Sequence, residues 1–217
     1  MTESTIDAVL FDFGGVITTS PFESFNRYET ELGIPTDTIR GINATNPDDN
    51  AWAKMERNEV TLDEFAVLFE AEAAALGHEL SGHAVLDCLS GDVRPQMVRA
   101  LDILKERVRL GCITNNMRQG HGAGMARTED QAARVADAMS RFEVVIESSK
   151  VGLRKPDPRI YELACREMSI EPANAAYLDD LGINCKPARA LGMSTVKVGD
   201  PDVALDELEA IVGFGLR

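Results

Sequence analysis

Nowhere in this sequence do about eighteen apolar residues follow one another, the length that a membrane-crossing helix requires. The opening residues, MTESTIDAVL, also lack the basic start and apolar run of a secretory signal, so the expected location is the cytoplasm. Basic residues are scarce: 22 Lys and Arg against 36 Asp and Glu leave a formal net charge of −14. That balance argues against nucleic acid or an anionic membrane as partner and favours a small soluble substrate. The four cysteines, Cys88, Cys112, Cys165 and Cys185, include no C-x-x-C pair. Their wide spacing, with three in apolar strand-like or helix-like settings, points to free buried thiols rather than a redox or metal site. No internal repeat occurs, and the biased segment GHGAG, Gly120 to Gly124, reads as a flexible connection rather than a phosphate cradle.

What is present is an alternation. Apolar strand-like runs at Ala8–Phe11, Val108–Ile113, Val144–Ile146, Ala175–Leu178 and Ser194–Val198 are separated by helix-like segments, which implies an α/β fold with a parallel sheet and crossover helices. Asp157 and Pro158 announce a helix over Arg159–Met168, and Asp200 and Pro201 announce a closing helix through Ile211. Between the first and second runs lie roughly ninety residues, far more than a crossover needs. The intervening stretch, residues 19–91, carries helical patterns and little that resembles a strand. Phe22, Phe25, Tyr28, Glu29 and Leu32 form one stripe ended by Gly33, Ile34 and Pro35; Ala51–Arg57 gives another helix. Thr61 and Glu64 form a capping-box pattern ahead of a stripe of Leu62, Phe65, Leu68 and Phe69. The expected organisation is a core of residues 1–18 and 92–217 with a helical module, 19–91, inserted as a lid over the strand ends. Trp52, the single tryptophan, and Met55 are candidates for the pocket wall or for the lid's own core.

Three segments besides the first strand carry chemistry. AVLFDFGG emits Asp12 from the carboxyl end of the first strand, where open α/β sheets bind ligands. GCITNN places Thr114, Asn115 and Asn116 at the same edge, supplying hydroxyl and amide donors for phosphate oxygens. ESSKVGLRKPDP sets Lys155 before a proline-bounded helix start, and AAYLDD puts Asp179 and Asp180 at the end of another buried run. Three carboxylates gathered beside one lysine need a further cation, and a hard divalent ion such as Mg²⁺ suits them.

In this order the four segments resemble the haloacid dehalogenase superfamily of hydrolases, and within it the phosphatase domain of soluble epoxide hydrolase and its stand-alone bacterial relatives. IESSKVGLRKPDPRIYELA and YLDDLGINCKPARALGM carry the resemblance most specifically, and WAKMERNEVTLDEF is similar to that family's helical cap. The resemblance implies a Rossmann-like core with an inserted cap. It implies that Asp12 is the nucleophile, forming an aspartyl-phosphate, and that Gly14 offers its backbone carbonyl to Mg²⁺. Thr114 and Asn115 bind the phosphoryl group, and Lys155 offsets charge between it and the nucleophile. Asp180 binds the metal, with Asp179 as an indirect or alternate ligand and Asn184 bracing the loop.

One position departs from the family pattern. Acid-bearing relatives use the side chain two places after the nucleophile to protonate the leaving alcohol and to activate water; here it is Gly14. Positioned acid–base catalysis contributes typically about 10² to 10⁴ in rate. The enzyme is therefore expected to favour esters whose leaving groups depart readily, such as anomeric sugar, acyl or aryl phosphates, unless His121, Glu147 or the cap supplies a substitute. Arg118 reads as a surface residue or a contact to substrate. The leading expectation is a Mg²⁺-dependent phosphomonoester hydrolase acting on a small metabolite. Two alternatives stay open: a catalytically impaired module that binds phosphometabolites or protein partners, supported by Gly14, and a metal-independent 2-haloacid dehalogenase, in which Asp179 and Asp180 have no purpose. Oligomeric state is not legible.

Overall fold

The computed structural model describes residues 6–116 and 128–217; Arg118, His121 and the Gly120–Gly124 segment lie outside the described residues. Strand β1 (Ala8–Phe11) is apolar at every position and fully buried, as a strand covered on both faces must be. It pairs in parallel with β2 (Arg109–Thr114) on one side and β4 (Ala175–Asp179) on the other. Outside these lie β3 (Val144–Glu147), against β2, and β5 (Ser194–Lys197), against β4, both parallel, giving the order β3-β2-β1-β4-β5. The chain thus builds outward from β1 to one side, then jumps across to build the other. That reversal puts the crevice of an open α/β sheet at the carboxyl ends of the central strands.

Between β1 and β2 the chain forms α1 (Pro21–Leu32), α2 (Thr38–Ala44), α3 (Ala51–Glu56), α4 (Leu62–Ala75) and α5 (Gly82–Asp87). Local signals place α1 and α4. Gly33 closes α1 at φ 68°, and the Thr61–Glu64 box forms reciprocally at α4. Two short helices escaped the sequence reading: α2 is capped by a tertiary contact, and α5, although Ser81 caps it, is seated by one. The buried Glu29 of α1 caps α2, accepting from the Asp37 and Ile39 amides at 2.8 and 2.7 Å. Helix α5 lies so close to α4 that a Cβ on Gly82 would stand 2.4 Å from Ala66 Cα. These helices share a hydrophobic core of their own, built on Phe25, Trp52, Phe65 and Phe69, with Trp52 edge-on to the other three rings. The chain leaves and re-enters the sheet region at one neck: Thr18 and Val93 form an antiparallel bridge, and the Thr19 amide donates to Asp92 O at 2.8 Å.

The remaining helices cover the sheet. Helices α6 (Pro95–Leu104), α7 (Glu129–Met139) and α11 (Pro201–Val212) pack on the face carrying Val9 and Phe11. After the single turn α8 (Ser148–Val151), α9 (Pro158–Glu167) and α10 (Gly182–Ala190) pack on the face carrying Leu10 and Tyr177. Asp157 caps α9 and Asp200 caps α11 through their side chains. Cys112, Cys165 and Cys185 are buried and Cys88 is half-buried, and none of the four forms a disulfide. No helix among the described residues is long and apolar enough to cross a membrane.

Candidate active site

The carboxyl ends of β1, β2 and β4 converge on one charged cluster. Asp12 follows β1 directly, and its Oδ1 accepts from the Phe13 amide at 2.7 Å and pairs with Lys155 Nζ at 2.8 Å. Lys155, 1 % exposed, also reaches Asp179 Oδ2 at 2.9 Å. Burial alone would lower the Lys155 ammonium, but Asp12 and Asp179 override it and hold the lysine charged, above its ordinary range. Asp12 is pushed well above the usual carboxylate range, first by burial and then by Asp179 and Asp180, against the pull of Lys155. One lysine therefore does not neutralise the group.

The two adjacent acids have different surroundings. Asp179 is fully buried, and its carboxylate is enclosed by donors: the Leu181 amide at 2.8 Å, Asn184 Nδ2 at 3.0 and 3.1 Å, Tyr177 Oη at 2.5 Å and Lys155. Asp180 opens onto the pocket, where its Oδ2 accepts from Ser20 Oγ at 3.3 Å. Burial, with Asp179 beside it, raises the Asp180 carboxyl to about 6. Gly15, at φ +78°, lets this carboxylate approach: a Cβ there would fall 2.2 Å from Asp180 Oδ2. Oxygens of Asp12, Asp179 and Asp180 lie within 4.8 Å of one another. All-oxygen donors of like charge, with one lysine between them, form a set suited to a hard divalent cation.

Thr114, the last residue of β2, and Asn115 complete the floor. Both ends of the Asn115 amide bond the backbone of Lys155, Oδ1 accepting from its N–H at 2.9 Å and Nδ2 donating to its carbonyl at 3.1 Å. Asn115 thus sets the lysine's position. Asn116 lines the cavity as well, and its side chain ties β2 to Glu147 and Ser149. Glu147 is further paired with Lys150 and does not line the pocket.

Over this floor the α1–α5 module forms a roof, enclosing a cavity of about 190 Å³. Phe22, Phe25, Trp52 and Met55 give it apolar walls. Trp52 belongs both to this wall and to the module's core, so the two readings of it were not exclusive; its indole N–H has no acceptor among the described residues. Gly14 also lines the cavity, and a Cβ built on it meets nothing within 4 Å. Sequence reasoning missed Glu56, which lines the same cavity and pairs with Arg154 at 2.5 Å. The available signal was its place on one helical face with Trp52 and Met55, at spacings of four and one.

The model of the haloacid dehalogenase-like hydrolases matches residues 6–192, and the chain belongs to that family of hydrolases. It is 32% identical over 216 residues to acyl-CoA dehydrogenase family member 10 of Mus musculus, covering 97% of this chain and 19% of that protein. It is 29% identical over 221 residues to bifunctional epoxide hydrolase 2 of Sus scrofa, covering 96% and 39%. The chain therefore spans well under half the length of these two relatives. With the sesquiterpene phosphatase astK of Aspergillus oryzae it shares 25% identity over 211 residues, covering 97% of this chain and 98% of that one. A haloacid dehalogenase family enzyme of Bacteroides thetaiotaomicron, solved in complex with magnesium and inorganic phosphate, shares the fold at TM-score 0.59 and 21% identity, covering 90% and 96% of the two chains.

Proposed function

We propose that this chain is a Mg²⁺-dependent phosphomonoester hydrolase that works through an aspartyl-phosphate on Asp12. The observation that carries the reading is the difference between its two neighbouring acids. Asp179 is saturated by protein donors, whereas Asp180 faces the cavity beside Asp12 with a carboxyl raised by burial. Asp12, Asp180 and the Gly14 carbonyl would hold Mg²⁺, and Asp179 anchors Lys155 and the loop that Asn184 braces. When bound, Mg²⁺ supplies the positive charge that keeps Asp12 ionised and offsets the phosphoryl oxygens. Asp12 attacks phosphorus, while Lys155 and Thr114 bind the transferring group and Asn115 positions the lysine. Phosphoryl transfer depends mostly on such positioning and charge neutralisation. The chain's acidity and the cavity's size suit a small phosphorylated metabolite, and the walls of Phe22, Phe25, Trp52 and Met55 favour a leaving group with an apolar face. The relative that bears the name sesquiterpene phosphatase points the same way.

The organisation proposed with it is a hydrolase core, residues 1–18 and 92–217, and a cap, 19–91, hinged at the Thr18–Val93 neck. A phosphoester panel assayed with Mg²⁺ tests the function. Turnover is expected to vanish with EDTA and to fall by roughly 10⁴-fold or more in Asp12→Asn. Binding of a phosphoryl analogue with no turnover of any ester would instead establish a binding module. Chloride release from a 2-haloacid, insensitive to EDTA, would establish a dehalogenase.

A further inference from the structure

Gly14 leaves the site without the proton-transfer group that the second position after Asp12 supplies in acid-bearing relatives. Among the described residues lining the cavity, only Asp12, Asp180, Lys155 and Glu56 titrate. Two of these form the proposed cation site, and Lys155 is locked between Asp12 and Asp179. Glu56 is left. It ends α3 and is fastened to the floor at three points: its carbonyl accepts from Ser148 Oγ at 2.8 Å, and its Oε2 accepts from Arg154 Nη2 at 2.5 Å and Asn115 Nδ2 at 3.4 Å. Asn115 bonds the Lys155 backbone, and Lys155 touches Asp12, so one residue separates the roof's carboxyl from the lysine. Oε1 accepts no hydrogen bond among the described residues.

We propose that Glu56 is the proton-transfer group of this active site, an inference that rests on the phosphatase reading above. In the first step an Asp12 oxygen bonds to phosphorus, the bond from phosphorus to the leaving oxygen breaks, and its electron pair takes the Glu56 proton. In the second, a water oxygen bonds to phosphorus, the water's proton passes to the Glu56 carboxylate, and the bond to Asp12 breaks with its electron pair returning to Asp12. Ester and water become alcohol and phosphate, and both carboxyls regain their starting forms. Burial pushes the Glu56 carboxyl up, partly offset by Arg154 and Lys155, the direction that favours the protonated form of a general acid. The restriction to readily departing leaving groups that Gly14 implies is thereby lifted.

The test is a Mg²⁺ assay across esters from p-nitrophenyl to alkyl phosphates. Wild type should depend only weakly on the leaving group. Glu56→Gln should lose about 10²-fold or more on alkyl esters. With p-nitrophenyl phosphate it should release one burst equivalent of nitrophenol and then turn over slowly, because departure needs no acid but hydrolysis of phosphorylated Asp12 still needs a base. Adding Gly14→Asp, whose Cβ has open space, should restore about tenfold or more. Equal losses on every ester without a burst would overturn the proposal and mark Glu56 as a cap strut. So would a steep leaving-group dependence in wild type, a measurement that needs no variant to fold. Absence of Asp12-dependent turnover in wild type would instead refute the phosphatase reading itself.

Discussion

The floor and the roof of the cavity are built by different physics. In the floor, Asp12, Lys155, Asp179 and Asn184 are buried polar groups fixed by directional bonds, so each group's geometry depends on its neighbours' presence. In the roof, Phe25, Trp52, Phe65 and Phe69 are held by non-directional burial around a separate core, and the module is joined to the sheet through the Thr18–Val93 neck and contacts such as Glu56–Arg154. A directional floor suits a chemistry in which charges are placed to fractions of an ångström. An apolar roof suits selection by shape, and it tolerates exchange of side chains so long as volume is kept.

The floor is most vulnerable at Asp179. Asp179→Ala leaves Lys155, Tyr177 and Asn184 without their shared acceptor, and removing one partner of a buried pair costs about 3–5 kcal/mol. Chemical denaturation should show that loss, and activity should fall with it. An unchanged midpoint would mean the floor is not interdependent.

Next comes the cation. Without metal, Asp180 titrates at about 6 in the folded chain against an ordinary value of 3.8. The folded state then holds more protons than the unfolded one, so stability falls as pH rises through that window. Mg²⁺ binds the ionised form and reverses the loss. Its stabilisation should be small at pH 5 and reach about 2.7 kcal/mol at pH 7 when Mg²⁺ is a hundredfold above its Kd. Melting scans with and without Mg²⁺ at the two pH values measure it, and equal shifts at both would remove Asp180 as the pH-sensitive ligand.

Gly15→Ala sharpens the same point by steric means. The added methyl meets Asp180 Oδ2 and the backbone sits at φ +78°. The left-handed conformation alone costs roughly 1–2 kcal/mol; the displacement of Asp180 should also raise the Mg²⁺ requirement of turnover. Retained Mg²⁺ dependence would show that the carboxylate has room to move.

The smallest effect belongs to the roof. Thr61→Ala removes the α4 cap at a cost of about 1 kcal/mol, and kcat should stay within twofold or so, because a propensity-level loss in the roof leaves the floor's bonds intact. A large kcat change would mean the two regions are not energetically separate.

Much of this organisation was legible in the chain. The five strands among the described residues were anticipated to within a residue at either end, because buried parallel strands are continuous apolar runs bounded by turn residues. The one-residue shift of β2 matters only in making Thr114 its last residue. Helices α1, α3, α4, α9 and α11 carried their own capping or periodic signals; α2 is capped by Glu29 from another helix, and α5, which Ser81 caps, is short and fitted against Ala66. Among the candidate site residues, Asp12, Thr114, Asn115, Lys155 and Asp180 were brought to one cavity wall, since each follows or approaches a strand's carboxyl end.

By itself the sequence determined the sheet and the family, because these depend on local periodicity, turn chemistry and long specific motifs. Only the tertiary structure decided which of Asp179 and Asp180 faces the cavity, since adjacent residues differ in partners that lie elsewhere in the chain: Tyr177, Asn184 and Lys155 for one, Ser20 for the other. It also brought Glu56 to the floor beneath it. No spacing rule joins residue 56 to Asn115 and Arg154; that contact exists because the inserted module folds on its own core and settles over the ends of the strands.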